Sequence, residues 1–194
     1  MLMCQPEKSL RLFYAVPLPE RVLKASARLQ SSLKPELLKL EGTSDRVRWS
    51  RAENLHLTLH FLGDIPREKI PELLLLLEAV AAGTPVLDLT LKQLSAFPKL
   101  RQAHVLVWQF NQNQALHALH QGLAEGLVAL GLSCDQRHFR PHLTLARIKP
   151  AQPLADLPKP TPLSFEATEA VLFQSRLQPE GPEYTALGRA LFRA

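Results

Sequence analysis

The chain has 194 residues, 46% hydrophobic and 21% charged, enough to bury a core as one domain or two small lobes, and unlike a disordered or fibrous composition. Its longest aliphatic run, Leu73 to Leu77 between Glu72 and Glu78, falls far short of the roughly 18 apolar residues of a membrane span, and MLMCQPEKSL supports neither a signal peptide nor a lipid anchor at Cys4, so no membrane partner and a cytoplasmic location are expected. Twenty-three Lys and Arg against 18 acidic residues give a net charge of +5, which favours an anionic partner without naming one.

In chain order, Arg11 to Val16 is a β-type run closed by Pro17 and Pro19, and apolar residues at helical spacing predict a helix over 21–33. The polar stretch Gly42-Thr43-Ser44-Asp45 precedes a short strand over 47–49 and an alternating strand over 55–62, which Gly63-Asp64 ends. A helix is predicted over 67–81. Val86 to Leu91 alternates, Phe97-Pro98 breaks it, and His104 to Trp108 resumes as a paired strand, with Lys99 and Arg101 at the hairpin turn. Gln114 to Leu130 is helical up to Gly131, and Pro141 introduces a strand from His142 to Ile148. Residues 149–162 hold five prolines and predict a linker or surface loop, and strands over 164–174 and 184–192 flank a turn over 178–182. Three helices and eight strands in hairpin-like pairs predict an α+β, mostly antiparallel fold rather than a run of βαβ units.

One string occurs twice. Seven histidines and eight threonines would place about 0.3 His-x-Thr pairs in this chain by chance, yet His56-Leu57-Thr58-Leu59 and His142-Leu143-Thr144-Leu145 stand 86 residues apart. The alternation is that of a strand with one buried face, so His56 and Thr58 share the opposite face, as do His142 and Thr144. Two residues along a strand is roughly 7 Å, which lets an imidazole and a hydroxyl reach different oxygens of one phosphoryl group. A pair of imidazoles can supply both a proton donor and a proton acceptor near neutral pH, and threonine hydroxyls can donate to non-bridging oxygens in the transition state. The arrangement suits in-line attack on a phosphodiester.

With these residues in view the chain resembles the two-histidine phosphoesterase superfamily, and within it the RNA 2',3'-cyclic phosphodiesterases, also called RNA 2'-5' ligases. The match rests on Arg11 to Pro19, Asn54 to Gly63, Arg140 to Arg147, and Gln174 to Leu177 with Gly181 to Tyr184, which span nearly the whole chain. The resemblance implies one domain over residues 1–194, α+β and bilobal with pseudo-twofold symmetry. Its mostly antiparallel sheets carry helices on their outer faces, and each lobe brings one motif to a central cleft. It further implies that His56 donates a proton to the leaving ribose 3'-oxygen and His142 accepts one from water, with Thr58 and Thr144 beside them. The cyclic phosphate at an RNA or oligonucleotide end would open to a 2'-phosphate, and a reversible 2'-5' ligation would follow with an RNA 5'-hydroxyl taking the place of water. No cofactor, metal or obligatory protein partner is implied, and a monomer is expected.

Phe61 and Arg147 each lie five residues after a motif histidine, and in similar enzymes these positions contact a base and the phosphate. Strict parity puts them on the wrong face, so a bend or bulge is required. His60 shares the parity of His56 and Thr58 and is expected to line the cleft. The spacing His56-x-x-x-His60 falls on a strand with no carboxylate or thiolate nearby, and Cys4 and Cys134 form no Cys-x-x-Cys, so neither suggests a zinc site. Arg140, Arg48 and Lys99 are candidates for the RNA backbone, whereas His104, His117, His120 and His138 have no motif context and read as structural or surface residues. Two other functions compete: a nucleotide- or RNA-binding module without turnover, and a phosphodiesterase for another cyclic nucleotide.

Overall fold

The computed structural model describes residues 8–38, 47–135, 137–154, 157–179 and 181–193. The polar stretch at 42–45 and Cys4 lie outside them. Among the described residues nine strands form two antiparallel sheets. The first contains β1 (Ser9–Pro17), β3 (His56–Pro66), β8 (Glu169–Gln178) and β9 (Gly181–Leu191), in the order β3-β1-β8-β9. The second contains β2 (Val47–Trp49), β4 (Leu87–Lys99), β5 (Gln102–Phe110), β6 (His142–Gln152) and β7 (Leu163–Ala167), in the order β2-β6-β5-β4-β7. The motif strand β3 is therefore an edge, and the motif strand β6 is covered only by the three residues of β2.

Position in the sheet explains the composition of β1. It lies between β3 and β8, so Leu12 to Val16 are all buried, which suits the continuous apolar run Leu-Phe-Tyr-Ala-Val. Neighbouring residues in this run face opposite ways: the Tyr14 hydroxyl donates to the Leu73 carbonyl at 2.7 Å in α2 (Ile70–Ala82), while Phe13 packs at 4.8 Å from the His56 ring. Helix α2 thus covers the sheet face opposite the motif. It buries Leu73, Leu77 and Ala81 and packs against β8, β9 and α3 (Gln114–Ala129), with Gly126 of α3 admitting the Leu76 side chain where a Cβ would collide with it. Asn113 caps α3 by accepting from the Leu116 backbone N–H at 2.8 Å. Helix α1 (Glu20–Leu38) serves the other sheet, as its buried Gln30 donates to the carbonyls of Ser50 and Leu145 at 2.8 and 2.9 Å.

Four expectations need correction. Phe97-Pro98 does not end β4, because β7 pairs only with Leu87–Leu91 and leaves the proline where β4 has a single neighbour; a register shift between Phe97 and Pro98 skips His104 opposite. Gly63-Asp64 does not end β3 either, since Gly63 at φ 74 is carried within a strand that runs on to Pro66. The single strand expected over 164–174 is two strands that change sheets at Thr168: β7 joins β4 and β8 joins β1, which brings the strand total to nine. The proline-rich segment begins inside β6, which continues to Gln152.

Candidate active site

The two motif strands repeat one pattern of burial over six residues. In order these are a half-buried histidine, a buried leucine, a half-buried threonine, a buried leucine, a buried residue and an exposed one. The parity change after the second leucine has a visible cause. Opposite β3, Thr58 pairs with Ala15 and His60 with Tyr14, so Leu59 is an extra residue; opposite β6, Thr144 pairs with Val107 and Ala146 with Leu106, so Leu145 is one too. These matched bulges turn Phe61 and Arg147 onto the exposed side with the histidines and threonines, as their spacing requires. Phe61 is 62% exposed, with its ring 5.8 Å from Phe13. The second bulge is pinned by hydrogen bonds, because the Leu145 carbonyl accepts from both the Ser50 N–H and Gln30.

The same bulge corrects the reading of His60. Its parity no longer follows that of His56, and the side chain is only 2% exposed, forming part of the cleft wall from behind. His60 Nε2–H donates to the His120 carbonyl at 2.8 Å, the two rings stack at 4.0 Å, and burial pushes the His60 pKa down. His60 and His56 therefore lie on different sides of β3.

Each motif histidine is oriented by a carbonyl two residues before it. His56 Nδ1 lies 2.8 Å from the Asn54 carbonyl and His142 Nδ1 lies 2.6 Å from the Arg140 carbonyl. A carbonyl only accepts, so both neutral rings carry the proton on Nδ1 and leave Nε2 as the titrating atom. Their surroundings differ. His56 packs against Phe13 and, edge to face at 5.2 Å, against Tyr184 of β9, with Phe173 at 6.5 Å. Burial in this aromatic nest lowers its pKa to about 4, opposed by the Asn54 hydrogen bond and aided by nearby His142. His142 has one aromatic neighbour, Phe97 at 4.8 Å; burial lowers its pKa as well, and the Arg147 cation adds to that. Arg147 also opposes the upward push of burial on the Tyr184 hydroxyl, so His56, His142, Arg147 and Tyr184 form one electrostatic group.

Tyr184 and Asn54 were given no separate role in the sequence reading. The Asn54 backbone carbonyl holds His56, while its side chain donates to the Pro182 carbonyl at 2.7 Å, two residues from Tyr184. A cavity of about 750 Å³ opens beside the motifs and includes Thr58, Phe61, Arg140 and His142 in its walls. His104, His120 and His138 line it too, although no motif marks them. Arg48 lies exposed on β2 opposite Arg147, and Lys99 is exposed at the end of β4 by the hairpin turn.

Among the described residues no helix is long and apolar enough to cross a membrane. A match to the 2'-5' RNA ligase superfamily covers residues 16–178. An RNA 2',3'-cyclic phosphodiesterase of Thermus thermophilus is 34% identical, the alignment covering 95% of this chain and 91% of that one. Another, from Geobacillus stearothermophilus, is 32% identical over 90% of this chain; the chain spans 55% of that relative's length. The crystal structure of E. coli LigT complexed with 3'-AMP superposes with a TM-score of 0.80 at 28% identity, covering 96% of this chain and 99% of that one. The extent of the match, across both motif strands and both sheets, places this chain in the 2'-5' RNA ligase superfamily.

Proposed function

We propose that the chain hydrolyses 2',3'-cyclic phosphodiester ends of RNA to 2'-phosphates, with His56 and His142 as acid and base. Water attacks phosphorus while His142 Nε2 takes its proton, and the bond from phosphorus to the 3'-oxygen breaks as His56 Nε2 delivers a proton to that oxygen. The hydroxyls of Thr58 and Thr144 donate to the non-bridging oxygens, and Arg147 meets their negative charge. Phe61 offers its exposed ring to the terminal base, and Arg140 the backbone. An RNA 5'-hydroxyl in place of the attacking water makes the same displacement a 2'-5' ligation, with the 3'-oxygen still leaving on the proton from His56. Residues 1–194 act in this reading as one two-lobed domain, each lobe contributing one motif.

The observation that carries the proposal is the matched pair of Nδ1–H to carbonyl hydrogen bonds, which fixes the same tautomer in both rings and reserves both Nε2 atoms for proton transfer. Both rings are held neutral at pH 7 in the free site, and a bound phosphodiester anion raises their pKa and loads the acid. The relatives named as RNA 2',3'-cyclic phosphodiesterases support the choice of substrate. The test is product analysis on RNA ending in a 2',3'-cyclic phosphate, with and without EDTA. A 2'-phosphate end formed at the same rate in both conditions is expected; a 3'-phosphate end, or activity abolished by the chelator, would refute the mechanism.

A further inference from the structure

A ladder of rings runs through the cavity wall. The His120 ring stacks on His60 at 4.0 Å and on Phe139 at 4.0 Å with an interplanar angle of 14°. Two rings at that distance cannot share one face of an imidazole, so His60 and Phe139 lie on its opposite faces. The ladder therefore runs from His60, in the interior, through His120 to Phe139, which is half-buried and lines the cavity. His117 packs edge-on to Phe139 at 5.4 Å and steadies the outer rung from the side. Exposed His138 and Arg140 flank Phe139 in the chain, and exposed His104 of β5 lines the same cavity.

The cavity holds a second aromatic platform, Phe61, beside the motif threonine Thr58. Its volume of about 750 Å³ lies toward the upper end of the roughly 300–1,000 Å³ typical of small-molecule sites, so it has room beyond a terminal nucleotide. Aromatic platforms with cations beside them are how proteins hold successive bases of a single strand. Resting on the proposed function, we infer that this arm of the cleft seats the nucleotide on the 5' side of the terminal one. Its base stacks on the open face of Phe139, and its phosphate lies among His138, Arg140 and His104. The substrate class is then a single-stranded RNA end of two or more nucleotides, and a lone nucleoside cyclic phosphate fills only the Phe61 half.

The test measures binding of two products, a trinucleotide ending in a 2'-phosphate and a nucleoside 2'-monophosphate, to the wild type, Phe139→Leu and Phe139→Trp by calorimetry. Leucine keeps apolar bulk without a π face, and tryptophan keeps the face. Stacking on Phe139 predicts that the wild type prefers the trinucleotide by about 5- to 100-fold, that Phe139→Leu loses most of that preference, and that Phe139→Trp retains it. Overturning results are equal binding of the two ligands by the wild type, an undiminished preference in Phe139→Leu, or equal weakening of both ligands, which would mark Phe139 as structural only. Because the ligands are products, the preference is decided whether or not the protein turns over; absent hydrolysis would refute the proposed function instead.

Discussion

At the scale of single residues, the proposed chemistry depends on which atom of each histidine is left to titrate. Asn54 acts twice here, holding His56 Nδ1 through its backbone carbonyl and the Pro182 carbonyl through its side chain. Asn54→Ala keeps the first contact and loses the second, so Tyr184 is no longer anchored against His56. The loss of one part-buried hydrogen bond, worth about 1 kcal/mol, predicts a fall in kcat/KM of roughly fivefold with the fold intact, measurable by steady-state kinetics beside circular dichroism. That the two His-x-Thr pairs lie on the half-buried faces of two matching strands was legible in the sequence because an identical string appeared twice on strand-like alternation. Asn54 and Tyr184 were not assigned: the Asn54 side chain reaches the Pro182 carbonyl across 128 residues, and such a contact leaves no periodic trace.

At the scale of elements, one inserted leucine per motif strand does what strict alternation cannot. Leu59 and Leu145 each shift the register by one residue and turn Phe61 and Arg147 to the face of the motif histidines. That a bulge was needed could be read from the spacing; that it would also turn His60 inward follows from the same shift, and the sequence parity pointed the other way. The split at Thr168 was invisible because the apolar pattern runs on through it, and only partner choice separates β7 from β8. Helix α1 reaches the second bulge through Gln30. Gln30→Ala strips the Ser50 carbonyl of that donor and removes one of the two donors to Leu145, a change expected to cost about 1–3 kcal/mol. It should also lower kcat/KM more than KM-independent folding loss explains, since Arg147 is placed by the bulge. Urea denaturation with kinetics at fixed folded fraction would check both, and unchanged stability would count against the pinning role.

At the scale of the whole molecule, two sheets of different strand order present equivalent strands to one cleft, and the buried histidines make that assembly sensitive to acid. Burial lowers both His56 and His120 from 6.5 to about 4. As pH falls from 6.5 to 4, the unfolded chain binds protons at these positions and the folded chain does not, so stability is lost across that window and is unaffected by them above it. The slope is at most about 1.4 kcal/mol per pH unit for each ring, and less after solvent screening of these half-buried groups. Asp135, held at about 2 by Arg137, remains ionised in the folded protein throughout. The melting temperature should therefore drop between pH 7 and pH 5, and His120→Asn should flatten that drop; an identical slope in the variant would remove His120 from the account. The most direct test of the two-histidine mechanism is the pH profile of kcat/KM for wild type, His56→Ala and His142→Ala on an RNA 2',3'-cyclic phosphate. The account predicts a bell centred on the acid side of 6.5 in the wild type and a loss of about 10²- to 10⁴-fold in each variant. His142→Ala should lose the acidic limb and His56→Ala the alkaline one. Near wild-type turnover in either variant, or both limbs persisting in both, would contradict it.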